Sequence, residues 1–109
     1  MWSLINTMYE RDQETLRTTA AEFLSREAGR ESLITVTRAE LSEDRKRGIV
    51  YITVYPESAE QSALSFANRN RGEFGHFFIK RVRGMYLPHV EFCVDEGERH
   101  RRRLDELTK

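Results

Sequence analysis

The sequence predicts an α+β fold, a three-stranded sheet with helices on one face, from three observations. Two neighbouring runs, Leu33–Leu41 and Gly48–Tyr55, are rich in β-branched residues and lie either side of a short polar connection. Two helical patterns follow before a last alternating run, so the third strand returns through a helical crossover that lays helices on one side. With 109 residues, 39% of them hydrophobic, the chain has room for one core and one domain, residues 1–109.

The first element is a helix from about Tyr9 to Glu27, in which Leu16, Ala20, Phe23 and Leu24 share a face. Gly29 is its expected terminator. Residues 1–8 read as a loose lead-in, whose Trp2, Leu4 and Ile5 could dock on the core. The connection Ser42–Arg47 suits an antiparallel hairpin. In the second strand Val50, Ile52 and Val54 share one face and Ile49, Tyr51, Thr53 and Tyr55 the other, both apolar enough for a central strand.

Pro56 ends that strand, and Ser58-Ala59-Glu60-Gln61 reads as a capping box. The helix it opens runs to about Asn68 and buries Ala63, Leu64 and Ala67. Asn68-Arg69-Asn70-Arg71-Gly72 interrupts it, and a second helix follows with Phe74, Phe77, Phe78 and Val82 on one face, ended by Gly84. Their spacing makes these phenylalanines core residues rather than base-stacking platforms. After Pro88, Val90, Phe92 and Val94 alternate with His89, Glu91 and Cys93. Residues 95–109 form a tail. Asp95-Glu96-Gly97-Glu98 resembles a helix start, but Leu104 and Leu107 are the tail's apolar anchors, so a helix there depends on their docking.

Composition narrows the function. No stretch approaches the roughly 20 apolar residues of a membrane-spanning helix. A lone cysteine, Cys93, allows no internal disulfide, and Met1–Asn6 lacks the pattern of a secretory signal, so a reducing cytoplasmic setting is expected. Zinc would need further ligands at suitable spacing. Cys93 and His89 on one strand would stand roughly 13 Å apart, too far for a catalytic pair. No cofactor and no enzymatic reaction are therefore expected. Lys+Arg and Asp+Glu each number 18, for a formal net charge of zero. That argues against indiscriminate nucleic-acid binding but leaves local fields open.

The element order α-β-β-α-α-β is the arrangement of the type II KH fold. Three segments make the likeness specific: Ile34-Thr35-Val36-Thr37-Arg38-Ala39-Glu40-Leu41-Ser42-Glu43-Asp44 leading into Gly48-Ile49-Val50-Tyr51-Ile52-Thr53-Val54; Gly72 through Leu87-Pro88-His89-Val90-Glu91-Phe92 to Asp95; and the run Asp95…Glu98…Leu104-Asp105-Glu106-Leu107. Across roughly residues 11–107 the chain resembles a divergent member of the bacterial ribosome-binding factor A family. The resemblance implies a non-catalytic monomer that binds the small ribosomal subunit and 16S rRNA, assists late maturation and 5′-end processing, and matters for growth in the cold. It also places Asn70-Arg71-Gly72 at the family's Ala-x-Gly helix junction, with Asn for Ala. Glu73 and Gly75 stand where the family usually has an apolar and a basic residue.

Five cations, Arg69, Arg71, Lys80, Arg81 and Arg83, face one acid, Glu73, between residues 69 and 83. A bare charge run is ordinarily a solvated helix face. The adjacent Gly72 and the resemblance favour a phosphate-contacting edge instead, formed with Asn70 and with His76 as a stacking or phosphate-side group. Arg45-Lys46-Arg47 at the hairpin tip either contacts RNA from the rim or keeps the turn soluble. Arg99 and Arg101–Arg103 lie among Asp95, Glu96, Glu98, Asp105 and Glu106, so internal pairing is expected there. The alternative function is a protein-interaction module on the same scaffold, with the cations serving solubility.

Overall fold

A computed structural model describes the backbone of residues 2–27 and 32–101 and the side chains of residues 7–27 and 32–101. Helix α1 (Trp2–Glu27) is followed by strands β1 (Leu33–Leu41) and β2 (Arg47–Tyr55). A short 3-10 turn (Glu57–Ala59) leads to α2 (Glu60–Arg69), α3 (Arg71–Arg81) and β3 (His89–Val94). Residues 96–101 are helical and are called α4. The sheet order is β1-β2-β3, with β1 antiparallel and β3 parallel to β2. This is the type II KH-like α+β arrangement the element order predicts.

One sheet face carries the core. Leu16, Ala20, Phe23 and Leu24 of α1 pack with Ala67, Phe74 and Phe78 over Val50, Ile52, Val54, Val90 and Phe92, all buried. Phe74 makes edge contacts with Phe23, Phe78 and Phe92 at centroid separations of 5.5, 6.0 and 5.9 Å. The phenylalanine spacing therefore encodes packing, as expected. Gly48 lets α1 approach β2 closely, because a Cβ there would lie 2.9 Å from Leu16 Cδ2.

Both sheet edges are blunted by helix side chains. On β1, Leu41 donates its N–H to Gln13 Oε1 at 3.0 Å, and its carbonyl accepts the Tyr9 hydroxyl. On β3, the Asn68 carboxamide takes both outward backbone groups of Phe92, accepting its N–H and donating to its carbonyl, each at 3.1 Å. An open edge strand presents unpaired N–H and C=O groups, and these side chains close part of each row.

The structure corrects several local expectations. Residues 2–8 are not a loose lead-in; they are the first turns of α1, which spans 26 residues. Gly29 lies outside the described residues. The capping box does not form. The Ala59 N–H closes a tight turn on the Pro56 carbonyl at 2.9 Å, so Ser58 falls inside that turn and Ala59 becomes the α2 cap, with no side-chain bond. The interruption between α2 and α3 shrinks to Asn70 alone. Gly84 does not end α3: Val82 is already extended, and Gly84 supplies a left-handed turn, φ 80°, in the loop beyond. β1 carries a bulge at Thr37, where the pairing passes from Val36↔Ile52 to Arg38↔Tyr51. The extra residue lets Val36, Ala39 and Leu41 all reach the core although their numbers do not alternate.

Candidate nucleic-acid interface

The kink between α2 and α3 is built from one residue. Asn70 has φ −98° and ψ 19°, so it needs no left-handed backbone. Its carboxamide donates to the Phe66 carbonyl at 2.8 Å, and its own carbonyl accepts the Phe74 N–H at 2.9 Å. Asn70 thus caps α2 and starts α3. It shapes the junction, with its side-chain donor turned into the fold.

Because α2 buries Ala63 and Ala67 and α3 buries Phe74, Gly75 and Phe78, helical periodicity sends the polar positions outward. Arg69, Arg71, Gly72, Glu73, His76 and Lys80 are all exposed, as is Arg83 just beyond α3. Arg71 Nε donates to the Asn68 carbonyl at 3.1 Å, which fixes the guanidinium beside the kink and leaves its terminal nitrogens open. Arg69, His76, Lys80 and Arg83 have no side-chain partner among the described residues. A Cβ on Gly72 would meet nothing within 4 Å, so packing does not require glycine there, and the surface beside it is open.

Arg81 differs from its neighbours. It pairs with Glu22 of α1, and its guanidinium lies 4.7 Å from the Phe77 ring centroid. It ties α3 to α1, so four of the five cations of this stretch form no ion pair among the described residues. Gly75 also has a packing role: a Cβ there would lie 3.0 Å from Leu87 Cδ2.

The hairpin tip divides in the same way. Arg45, in a left-handed conformation with φ 62°, turns back onto α1. Its Nε lies 3.4 Å from Asp12 Oδ2 without hydrogen-bond alignment, and its guanidinium is 5.8 Å from the Tyr9 ring centroid. Lys46 and Arg47 remain exposed. The three basic residues that the sequence groups together are therefore one packed arginine and two exposed cations whose charge acts on Asp44.

On the opposite face of the sheet, Asp95 is the hub of a polar network. It is 6% exposed, and its Oδ2 accepts the Thr37 hydroxyl at 2.6 Å while its Oδ1 accepts the Glu98 N–H at 3.0 Å. Arg38 Nε stands 3.5 Å from Oδ2, and the Arg38 guanidinium lies 3.9 Å over the Tyr51 ring centroid. Burial alone would push the Asp95 carboxyl up. Thr37, the Glu98 N–H and Arg38 together hold it below the usual aspartate range. Asp95 thus caps α4 and fastens it to the β1 bulge.

In α4, Arg99 binds Glu60 at 2.8 Å and stands 3.7 Å from Glu57, in addition to its pair with Glu96. Arg101 binds Glu98 at 2.5 Å. Arg102, Arg103, Leu104 and Leu107 lie outside the described residues. Burial, then Glu91, raises the Cys93 thiol above its ordinary value, so the thiol stays protonated and is a poor nucleophile. Among the described residues no cluster of His, Cys, Asp or Glu is placed to hold a metal, and no helix is long and apolar enough to cross a membrane.

Two residues escaped the sequence reading. Asn68 locks β3, and Tyr86, 94% exposed, stands on the loop after Gly84. The run Met85-Tyr86-Leu87 was the available signal for the second, since it is apolar yet outside any helical or alternating pattern.

A family model described as ribosome-binding factor A matches residues 9–108. Ribosome-binding factor A of Thermodesulfovibrio yellowstonii is 36% identical over 76 residues, covering 70% of this chain and 64% of that protein. The Fervidobacterium nodosum factor is 30% identical over 61% of this chain and 54% of its own length. The chain thus spans under two thirds of either relative. The Natranaerobius thermophilus factor is 29% identical over 92% of this chain and 79% of its own length. The crystal structure of the Thermus thermophilus factor superposes with a TM-score of 0.70 at 26% identity, covering 79% of this chain and 94% of that one. A Thermus thermophilus factor fitted into a cryo-EM map of a 30S complex superposes with a TM-score of 0.65 at 28% identity, covering 74% of this chain and 88% of that one.

Proposed function

The chain belongs to the ribosome-binding factor A family, and from that premise we propose that it binds the small ribosomal subunit through 16S rRNA and assists its late maturation and 5′-end processing. It acts stoichiometrically and without catalysis, as a cytoplasmic monomer, holding one RNA conformation until the subunit matures. Its loss is felt most during growth in the cold. The Thermus thermophilus relative fitted into a 30S complex supports the choice of partner.

The observation that carries this reading is a set of exposed, unpaired cations that runs from the α2–α3 kink, with Arg69 and Arg71, to the far end of α3, with Lys80 and Arg83. Arg69, Arg71, Lys80 and Arg83 form no ion pair among the described residues, while Arg45, Arg81, Arg99 and Arg101 each have an acid beside them. A cation without an internal partner gives its full field to an incoming phosphate, and each phosphate neutralised releases counterions. Gly72 and His76, one helical turn apart, lie on the same exposed helix surface.

Sedimentation of the protein with immature and mature small subunits at low salt, combined with mapping of 16S 5′ ends in a deletion strain, tests the proposal. Co-sedimentation with immature subunits and accumulation of 5′-extended 16S precursor are expected. Absence of co-sedimentation together with normal 16S ends would overturn it.

A further inference from the structure

At the hairpin end of the sheet a cleft of about 500 Å³ opens, lined on one side by Asp44, Arg45 and Lys46 and on the other by Met85, Tyr86 and Leu87. Its size suits a small ligand. Both walls are fixed in place. Leu87 seats against Gly75 of α3, and Pro88 after it is buried. Tyr86 therefore stands on an anchored segment, although the side chain itself is 94% exposed. Across the cleft the turn is held by its own bonds. Asp44 Oδ1 accepts the Ser42 hydroxyl at 2.7 Å and the Lys46 N–H at 3.0 Å. The Lys46 carbonyl accepts the His89 N–H at 2.8 Å, which ties the turn to the start of β3.

Three groups on these walls keep an open face, although the Lys46 and Arg47 charges already act on the Asp44 carboxylate. The Tyr86 ring has no aromatic or cationic neighbour among the described residues, Asp44 Oδ2 has no hydrogen-bond partner there, and Lys46 forms no ion pair there. Arg45 is neutralised by Asp12 and adds no net charge. An aromatic face, a carboxylate oxygen and an exposed ammonium together complement one unpaired nucleotide. The ring stacks on a base, the ammonium meets the adjoining phosphate, and the carboxylate selects a base edge rich in donors. Guanine offers two adjacent donors, N1–H and the 2-amino group. Uracil offers a single N–H between two carbonyls that a carboxylate repels.

We propose that this cleft is a single-nucleotide subsite for an unpaired guanosine of the RNA partner, with the base stacked on Tyr86, its donor edge on Asp44 and the adjoining phosphate on Lys46. The subsite rests on the reading of the chain as an RNA-binding factor and adds to the α2–α3 surface a contact that reads base identity.

Fluorescence titration of the full chain with short RNA hairpins carrying one bulged nucleotide tests it. The bulged-guanosine hairpin should bind about 10-fold more tightly than the fully paired hairpin, through stacking, and more tightly than the bulged-uridine hairpin, whose carbonyls face Asp44. Tyr86→Ala should abolish that preference and Tyr86→Phe should keep it; so exposed a side chain can be removed without disturbing the core. Asp44→Asn should narrow the gap between guanosine and uridine, and Lys46→Ala should weaken both alike. The subsite is overturned if Tyr86→Ala keeps the guanosine preference, or if the wild type does not distinguish bulged from paired RNA. Small-subunit sedimentation separates this failure from that of the broader reading. Wild-type protein that sediments with subunits but lacks the preference overturns the subsite alone, and protein that does neither overturns both. Loss of subunit binding by Tyr86→Ala with RNA preference intact would place a ribosomal protein on that ring and also overturns the subsite.

Discussion

The α2–α3 kink and the start of α4 are both rich in arginine, and the fold treats them oppositely. From the kink along α3 the inward neighbours are Ala67, Phe74 and Phe78, which offer no acid, and Arg69, Arg71, Lys80 and Arg83 form no ion pair among the described residues. In α4 each described arginine meets carboxylates: Arg99 those of Glu57, Glu60 and Glu96, and Arg101 that of Glu98. Cation density along the chain is therefore a poor guide to the field a partner feels. Where the acids lie in three dimensions decides which arginines are part of the fold and which are presented outward.

The largest effect comes from reversing charge at both ends of α3, at the kink and in the last turn. Arg71→Glu combined with Lys80→Glu should weaken small-subunit binding on the order of 100-fold at moderate salt and leave the thermal midpoint unchanged. The matched change in α4, Arg99→Glu, should do the reverse: lower the midpoint and leave the binding constant in place. Filter binding and thermal denaturation of both variants compare the two regions directly, and a swapped outcome would break the distinction. If the kink double variant instead binds subunits normally, the protein-interaction module gains.

Asn68→Ala comes next. It strips the partners from the outward N–H and carbonyl of Phe92 and should cost about 3 kcal/mol in chemical denaturation, from the range for buried polar groups left unmatched. Thr37→Val removes a hydroxyl from the Asp95 carboxylate and should cost about 2 kcal/mol near neutral pH. Its effect depends on pH with a definite sign. Asp95 titrates lower folded than unfolded, so its stabilisation is complete above the unfolded value of about 3.9 and fades as pH falls through the lower folded value. Thr37→Val should flatten that acid limb, as read from denaturation midpoints between about pH 2 and 5. Arg81→Ala should have the smallest effect, about 0.5 kcal/mol, because its pair with Glu22 is exposed.

Much of this was legible in the sequence because it is written in local periodicity. Leu16, Ala20, Phe23 and Leu24 share a face in the pattern and in the core, and β1 and β3 match their expected limits. What the pattern hid depends on distant partners. Tyr9 and Gln13 hold the edge of β1 through Leu41, 32 and 28 residues away, which no local window contains. The Thr37 bulge is matched by Asp95, 58 residues on. The expected capping box had suitable residues in suitable places, yet the turn after Pro56 moved the helix start past Ser58. The candidate interface divides along the same line. Exposure of Arg69, Arg71 and Lys80 follows from helical spacing, but the capture of Arg81 by Glu22 and of Arg45 by Asp12 depends on where α1 lies.

The free-cation surface is tested most directly by the salt dependence of small-subunit binding, measured for the wild type and for a variant with Arg69, Arg71, Lys80 and Arg83 all changed to alanine. The logarithm of the wild-type binding constant should fall linearly with the logarithm of salt concentration. In the variant the slope should shrink by about 3, from roughly 0.7–0.9 for each phosphate no longer neutralised. An unchanged slope, with affinity preserved, would contradict the assignment of these residues to the RNA backbone.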